Sequence, residues 1–107
     1  MKTFEIKDWS GTFQVSINPG KAIRITTDRN GRQYDVVFYI GGMAEYDSYN
    51  LSYIGKIHQI TEKTVTIIPR YKTDEKRRLK LAEFCWRNYN FDLADTEKRN
   101  FEESMCI

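Results

Sequence analysis

The chain has 107 residues, of which 40% are hydrophobic, 14% aromatic and 30% charged, with a formal net charge of +2. That length predicts one domain, residues 1–107, able to bury a modest core, and the balance excludes a fully disordered chain. Two cysteines, Cys85 and Cys106, exclude a disulfide framework or a four-cysteine zinc site, and the single histidine, His58, excludes a three-histidine metal centre.

The first 69 residues alternate apolar and polar at period two, the pattern of half-buried strands. Phe4 and Ile6 alternate with charged neighbours, and Asp8-Trp9-Ser10-Gly11 reads as a hairpin turn. Phe13, Val15 and Ile17 follow until Asn18-Pro19-Gly20, where proline fixes φ and glycine permits positive φ. Ile23 and Ile25 mark a third short strand, and Asn30-Gly31 predicts a type I′ hairpin. From Tyr34 to Ile40 both faces are apolar, which predicts a central strand or one closing a barrel. Gly41-Gly42-Met43-Ala44 predicts a loop.

A long strand is expected from about Tyr49 to Ile60. Gly55 lies in phase with its apolar residues and Ile60 out of phase, so a bulge or sharp bend is expected near Gly55. Thr61-Glu62-Lys63 turns the chain into Thr64–Ile68, which Pro69 ends. Residues 74–81 read either as a helix capped by Thr73 or as a last strand at Arg78–Leu81; the crowding of Arg77, Arg78 and Lys80 favours the strand. A helix then runs from Ala82 to about Tyr89. Asp92 reads as the N-cap of a second helix, with Leu93, Phe101 and Met105 as its apolar stripe. The expected fold is α+β, mainly β. It would be a small SH3-like or OB-like barrel, or a strongly bent antiparallel sheet of five or six strands, over residues 1–81. Two short helices over residues 82–107 would pack on it.

Charge is uneven along the chain: residues 1–69 carry +1, residues 70–80 carry +4, and residues 81–107 carry −3. The basic run Arg70, Lys72, Lys76, Arg77, Arg78 and Lys80, interleaved with Tyr71, can grip phosphates while an aromatic stacks a base. The same run also suits a solvated edge strand, because lysines there discourage aggregation. Tyr46, Tyr49 and Tyr53 form the most unusual cluster, suited either to a recognition surface or to the shaping of a bend. Trp86 lies on an aromatic-rich helix and is a further anchor if exposed. Catalysis has little footing. His58 shares strand parity with Lys56 and is expected to face solvent, while Gly41-Gly42 lacks the lysine and helix of a phosphate loop. Cys85 and Cys106 read as buried thiols of a reducing compartment. No catalytic residue, metal ligand or cofactor is expected, nor any membrane span, since no apolar run approaches about 20 residues. Met1-Lys2-Thr3-Phe4 opens no signal peptide.

The strings YDSYNLSYIGKI, KTVTI and LAEFCWRNYNFD within Tyr46–Phe91, with the closing FEESMCI, resemble small proteins of no assigned activity carried by phages and other mobile elements. The resemblance implies a setting in the cytoplasm of a bacterial host and action by binding host machinery. The expected function is therefore a non-enzymatic, anti-CRISPR-like inhibitor of a host defence nuclease complex, with a host protein or nucleoprotein complex as partner. Tyr46, Tyr49, Tyr53 and Trp86 would be its anchors, with Arg77 and Arg78 meeting acidic groups. The alternatives are a nucleic-acid binder using Arg70, Tyr71, Lys72, Lys76, Arg77, Arg78 and Lys80, and a homo-oligomeric phage component with Trp86 at the contact.

Overall fold

The computed structural model describes residues 1–9, 11–47, 53–70 and 74–91. Among the described residues eight strands form two antiparallel meanders. β1 (Lys2–Asp8), β2 (Gly11–Asn18), β3 (Ala22–Arg29) and β4 (Arg32–Tyr39) make one sheet in that order. β5 (Met43–Glu45), β6 (Ile54–Ile60), β7 (Thr64–Pro69) and β8 (Arg77–Lys80) make the other, and α1 (Leu81–Asn88) follows directly. The mainly β character agrees with the period-two patterning.

The expected barrel, and its alternative of one bent sheet of five or six strands, are corrected. The chain forms two separate four-stranded sheets, because the meander turns a corner at residues 40–42 instead of continuing one ladder. Three backbone bonds clamp that corner: Gly20 N–H to the Ile60 carbonyl (2.9 Å), Gly41 N–H to Ile57 (2.8 Å) and Ile57 N–H to Gly42 (2.8 Å). Phe13, Val15, Ile17, Ile23, Ile25 and Phe38 from the first sheet share one core with Ile57, Ile60, Val65, Ile67 and Leu79 from the second. α1 closes that core with Leu81, Phe84 and Cys85, a stripe at i, i+3 and i+4.

Two local expectations need correction. The apolar Tyr34–Ile40 run is an edge strand, not a central one, and Val37 and Tyr39 on its outer face are exposed. The expected loop at Met43–Ala44 is the short strand β5, held by pairing with Lys56 and Gly55 of β6. Strand β6 starts at Ile54, and the residues that would extend it back to Tyr49 lie outside those described. The register break expected near Gly55 is found, between Ile57 and Gln59. It returns Ile60 to the core and leaves His58 exposed, as the slipped parity demanded. Residues 77–80 are strand, the reading that the arginine crowding favoured. The expected helix at Asp92–Ser104 and Cys106 lie outside the described residues.

Candidate functional site

Sheet β5-β6-β7-β8 ends in a groove of about 670 Å³ lined by Tyr46, Asp47, Tyr53, Pro69, Lys76, Arg77, Arg78, Leu79, Glu83 and Arg87. Each element contributes at the same end of that sheet. Tyr46 leaves β5 and Tyr53 enters β6, and Tyr46 N–H bonds the Tyr53 carbonyl (2.9 Å). Pro69 closes β7, Lys76 to Leu79 bring in β8, and Glu83 and Arg87 are one face of α1 at i, i+4 spacing.

The two tyrosine rings meet edge to face at a centroid separation of 6.3 Å, and the Arg77 guanidinium lies 5.8 Å from the Tyr46 centroid. Burial pushes the Tyr46 phenol above its ordinary value, opposed in part by the positive charge of Arg77. Arg77 also contacts Glu75 (3.3 Å), while Arg87 bonds Glu83 (3.2 Å) and lies 3.5 Å from Asp47. Among the described residues, four cations and two carboxylates line the groove. Its surface offers aromatic edges, guanidinium groups and a small apolar floor of Pro69 and Leu79. Such a surface can seat a ring and pair with carboxylates.

Beneath the groove, Asn88 fixes the exit of β5. Its side chain is fully buried and satisfies an exposed strand edge: Nδ2 donates to the Glu45 carbonyl (2.9 Å) and Oδ1 accepts from Glu45 N–H (2.8 Å). The same amide donates to the Phe84 carbonyl at 3.0 Å.

Of the residues singled out as partner anchors, Tyr46, Tyr53, Arg77 and Arg78 come together here. Trp86 does not line the groove; it is 41% exposed on α1, with the guanidinium of the neighbouring Arg87 5.7 Å from its ring. Tyr49 lies outside the described residues, as do Tyr71 and Lys72 of the basic run. Of the rest of that run, Lys76 lines the groove, Lys80 is exposed at the end of β8, and Arg70 is half-buried, its N–H on the Ile54 carbonyl (3.1 Å). The chain matches no family model, no curated protein and no solved structure.

Sequence reasoning missed Asp47, Glu83 and Arg87. The signal for the last two was present in their i, i+4 spacing, whereas Asp47 reads locally as a turn residue. Among the described residues no three His, Cys, Asp or Glu side chains gather as a metal-binding group.

Glu45 beside this site has its carboxyl raised above the usual range, first by burial and then by the charge of Asp47, with Arg87 opposing. A carboxyl raised on folding binds its proton more tightly in the native state, so stability falls as pH rises from the unfolded toward the folded value. Glu45→Gln is expected to stabilise the protein at pH 7 by under about 1 kcal/mol, because solvent screens the partly exposed group. The gain should vanish once the pH lies below both values, as urea titrations at pH 7 and pH 3 would show.

Proposed function

We propose that this protein is a small non-enzymatic binding protein of phage or mobile-element type. On this reading it acts by protein–protein contact on a host protein or nucleoprotein complex, as an anti-CRISPR-like inhibitor of a host defence nuclease complex. The observation that supports the contact surface is the convergence of Tyr46 and Tyr53 with Arg77 and Arg78, two pairs remote in sequence, on one groove. Tyrosine, tryptophan and arginine are the residue types that dominate interface energetics: the rings bury a large area at low entropic cost, and the guanidinium pairs with carboxylates through two hydrogen bonds. The phage setting comes from the sequence resemblance.

Nucleic acid is the second reading, favoured by Lys76, Arg77, Arg78 and Lys80 exposed in succession at the edge of the second sheet. Asp47 and Glu83 in the groove and Glu75 on Arg77 weigh against it. A polyanion would meet those carboxylates head on, whereas a protein surface of mixed sign would not.

The test combines capture with activity. Tagged protein is incubated with bacterial lysate containing a CRISPR nuclease complex, and nuclease cleavage is measured with and without it. A retained, specific partner and lowered cleavage are expected. Tyr53→Ala and Arg77→Glu should each weaken retention at least about ten-fold. No specific partner together with unchanged cleavage would end the proposal. A gel shift with DNA or RNA that weakens about 1,000-fold between 50 and 200 mM salt would transfer the surface to nucleic acid.

A further inference from the structure

We infer that β4 is a dimerisation edge, and that two copies of this chain join through it in antiparallel fashion to make one continuous eight-stranded sheet. The inference is independent of the groove. Strand β4 is the terminal strand of its sheet and, at eight residues, ties with its neighbours as the longest in the fold. Among the described residues nothing pairs with its outer side.

The phase of its backbone bonds follows from two observations. Asn30 and Gly31, at φ 54° and 74°, form a two-residue turn, so the flanking pair Arg29 and Arg32 exchanges the hydrogen bonds of a hairpin. At the other end Ile40 N–H bonds the Lys21 carbonyl (2.9 Å), which sets the same phase. Bonded pairs therefore fall on Tyr34, Val36 and Phe38. Gln33, Asp35, Val37 and Tyr39 turn their N–H and C=O groups outward.

Edge strands are ordinarily guarded by charge, proline or short length. β4 has neither proline nor short length. Val37 is 41%, Tyr39 60% and Ile40 38% exposed. The one carboxylate among the four outward positions, Asp35, is tied to Arg24 of β3, with Arg24 Nε donating to Oδ1 at 2.9 Å. The Arg24 guanidinium holds the Asp35 carboxyl below its usual range. The edge thus presents Arg32 and Gln33 at its hairpin end, a paired charge at Asp35, and an uncharged stretch from Val37 to Ile40. A groove of about 360 Å³ runs beside it, lined by the consecutive residues Arg32 to Val36 and walled by Tyr89 to Phe91.

A second copy fits because an antiparallel strand is related to itself by a two-fold axis, so one surface satisfies both sides. With that axis at Val37, each Val37 faces its own copy on the outer face, and Tyr39 faces Asp35. On the inner face Val36 comes opposite Phe38 and Tyr34 opposite Ile40. Apolar side chains meet apolar ones at all but one pair. No charge lies against a like charge.

Sedimentation equilibrium across about two decades of concentration tests this. The expected result is a rise in mass from the 12.7 kDa chain to twice that value. Val37→Lys and Val37→Pro should each abolish the rise. Val37→Pro removes only an outward N–H, so the β3–β4 ladder and the strand signal in circular dichroism should persist. Trp86→Ala should leave the dimer intact, and so should Tyr53→Ala, which separates this proposal from the groove. A mass that stays at one chain throughout overturns the inference. So does a dimer unaffected by both Val37 variants, or one lost with Trp86→Ala alone.

Discussion

Asn88→Ala is expected to cost about 3 kcal/mol of folding stability, read as a lower urea midpoint with an unchanged slope. The figure combines two losses. Glu45 N–H and C=O, paired only by the Asn88 amide at 2.8 and 2.9 Å, would be left at a partly buried strand edge, at about 1–3 kcal/mol for each stranded group. The emptied volume of a fully buried side chain adds a cavity. Asn88→Asp should be no better, since it replaces two donated hydrogen bonds with oxygens facing the carbonyls of Glu45 and Phe84. Either change frees the β5 exit that carries Tyr46, so partner retention should fall along with stability. A variant within about 0.5 kcal/mol of the parent would show that the amide clamps nothing.

Gly55→Ala is the second large effect. The residue is buried in β6 directly across from β7, and a methyl group there would stand 2.7 Å from Ile67 Cγ2 and 2.8 Å from the Ile68 carbonyl carbon. It would also drive into the Ile68 carbonyl oxygen. The obstacle is mostly backbone, which cannot step aside as a long side chain can. Overpacking of this kind costs about 3 kcal/mol. For a domain of this size that lowers the melting temperature by more than about 10 °C. Gly20→Ala is an instructive contrast, because it meets no atom within 4 Å and only its φ of +75° opposes the change.

These two residues also show what the sequence could and could not disclose. Gly55 stood out at once as a gap in an apolar phase, and the slipped parity of Ile60 pointed to a bulge. Only the three-dimensional register separates the two features, placing the close approach at Gly55 and the bulge beside His58. Asn88 gave no warning. Between Arg87 and Tyr89 it reads as an ordinary helix-end polar residue, and its importance comes from Glu45, 43 positions earlier.

Alternation located most strands, because one face of each is buried and a one-residue slip would expose it. It failed at β4, where two apolar faces suggested burial on both sides. That inference assumes every apolar side chain is covered within the chain, and Val37 and Tyr39 are not. The site was half legible. Tyr46, Tyr53, Arg77 and Arg78 were chosen for residue type alone, and their meeting depends on four strand ends lying side by side. Closure into a barrel is a property of the corner at Gly41-Gly42, which no periodicity encodes.

That corner has a consequence for recognition. Backbone bonds from Gly20 to Ile60 and between Ile57 and residues 41–42 lock one sheet against the other, so neither can slide without breaking them. Glu83 and Arg87 of α1 and the strand ends opposite them consequently hold a fixed spacing before any partner arrives. Were the groove to bind a protein surface as proposed, its side of the contact would already be ordered, leaving little to immobilise on association.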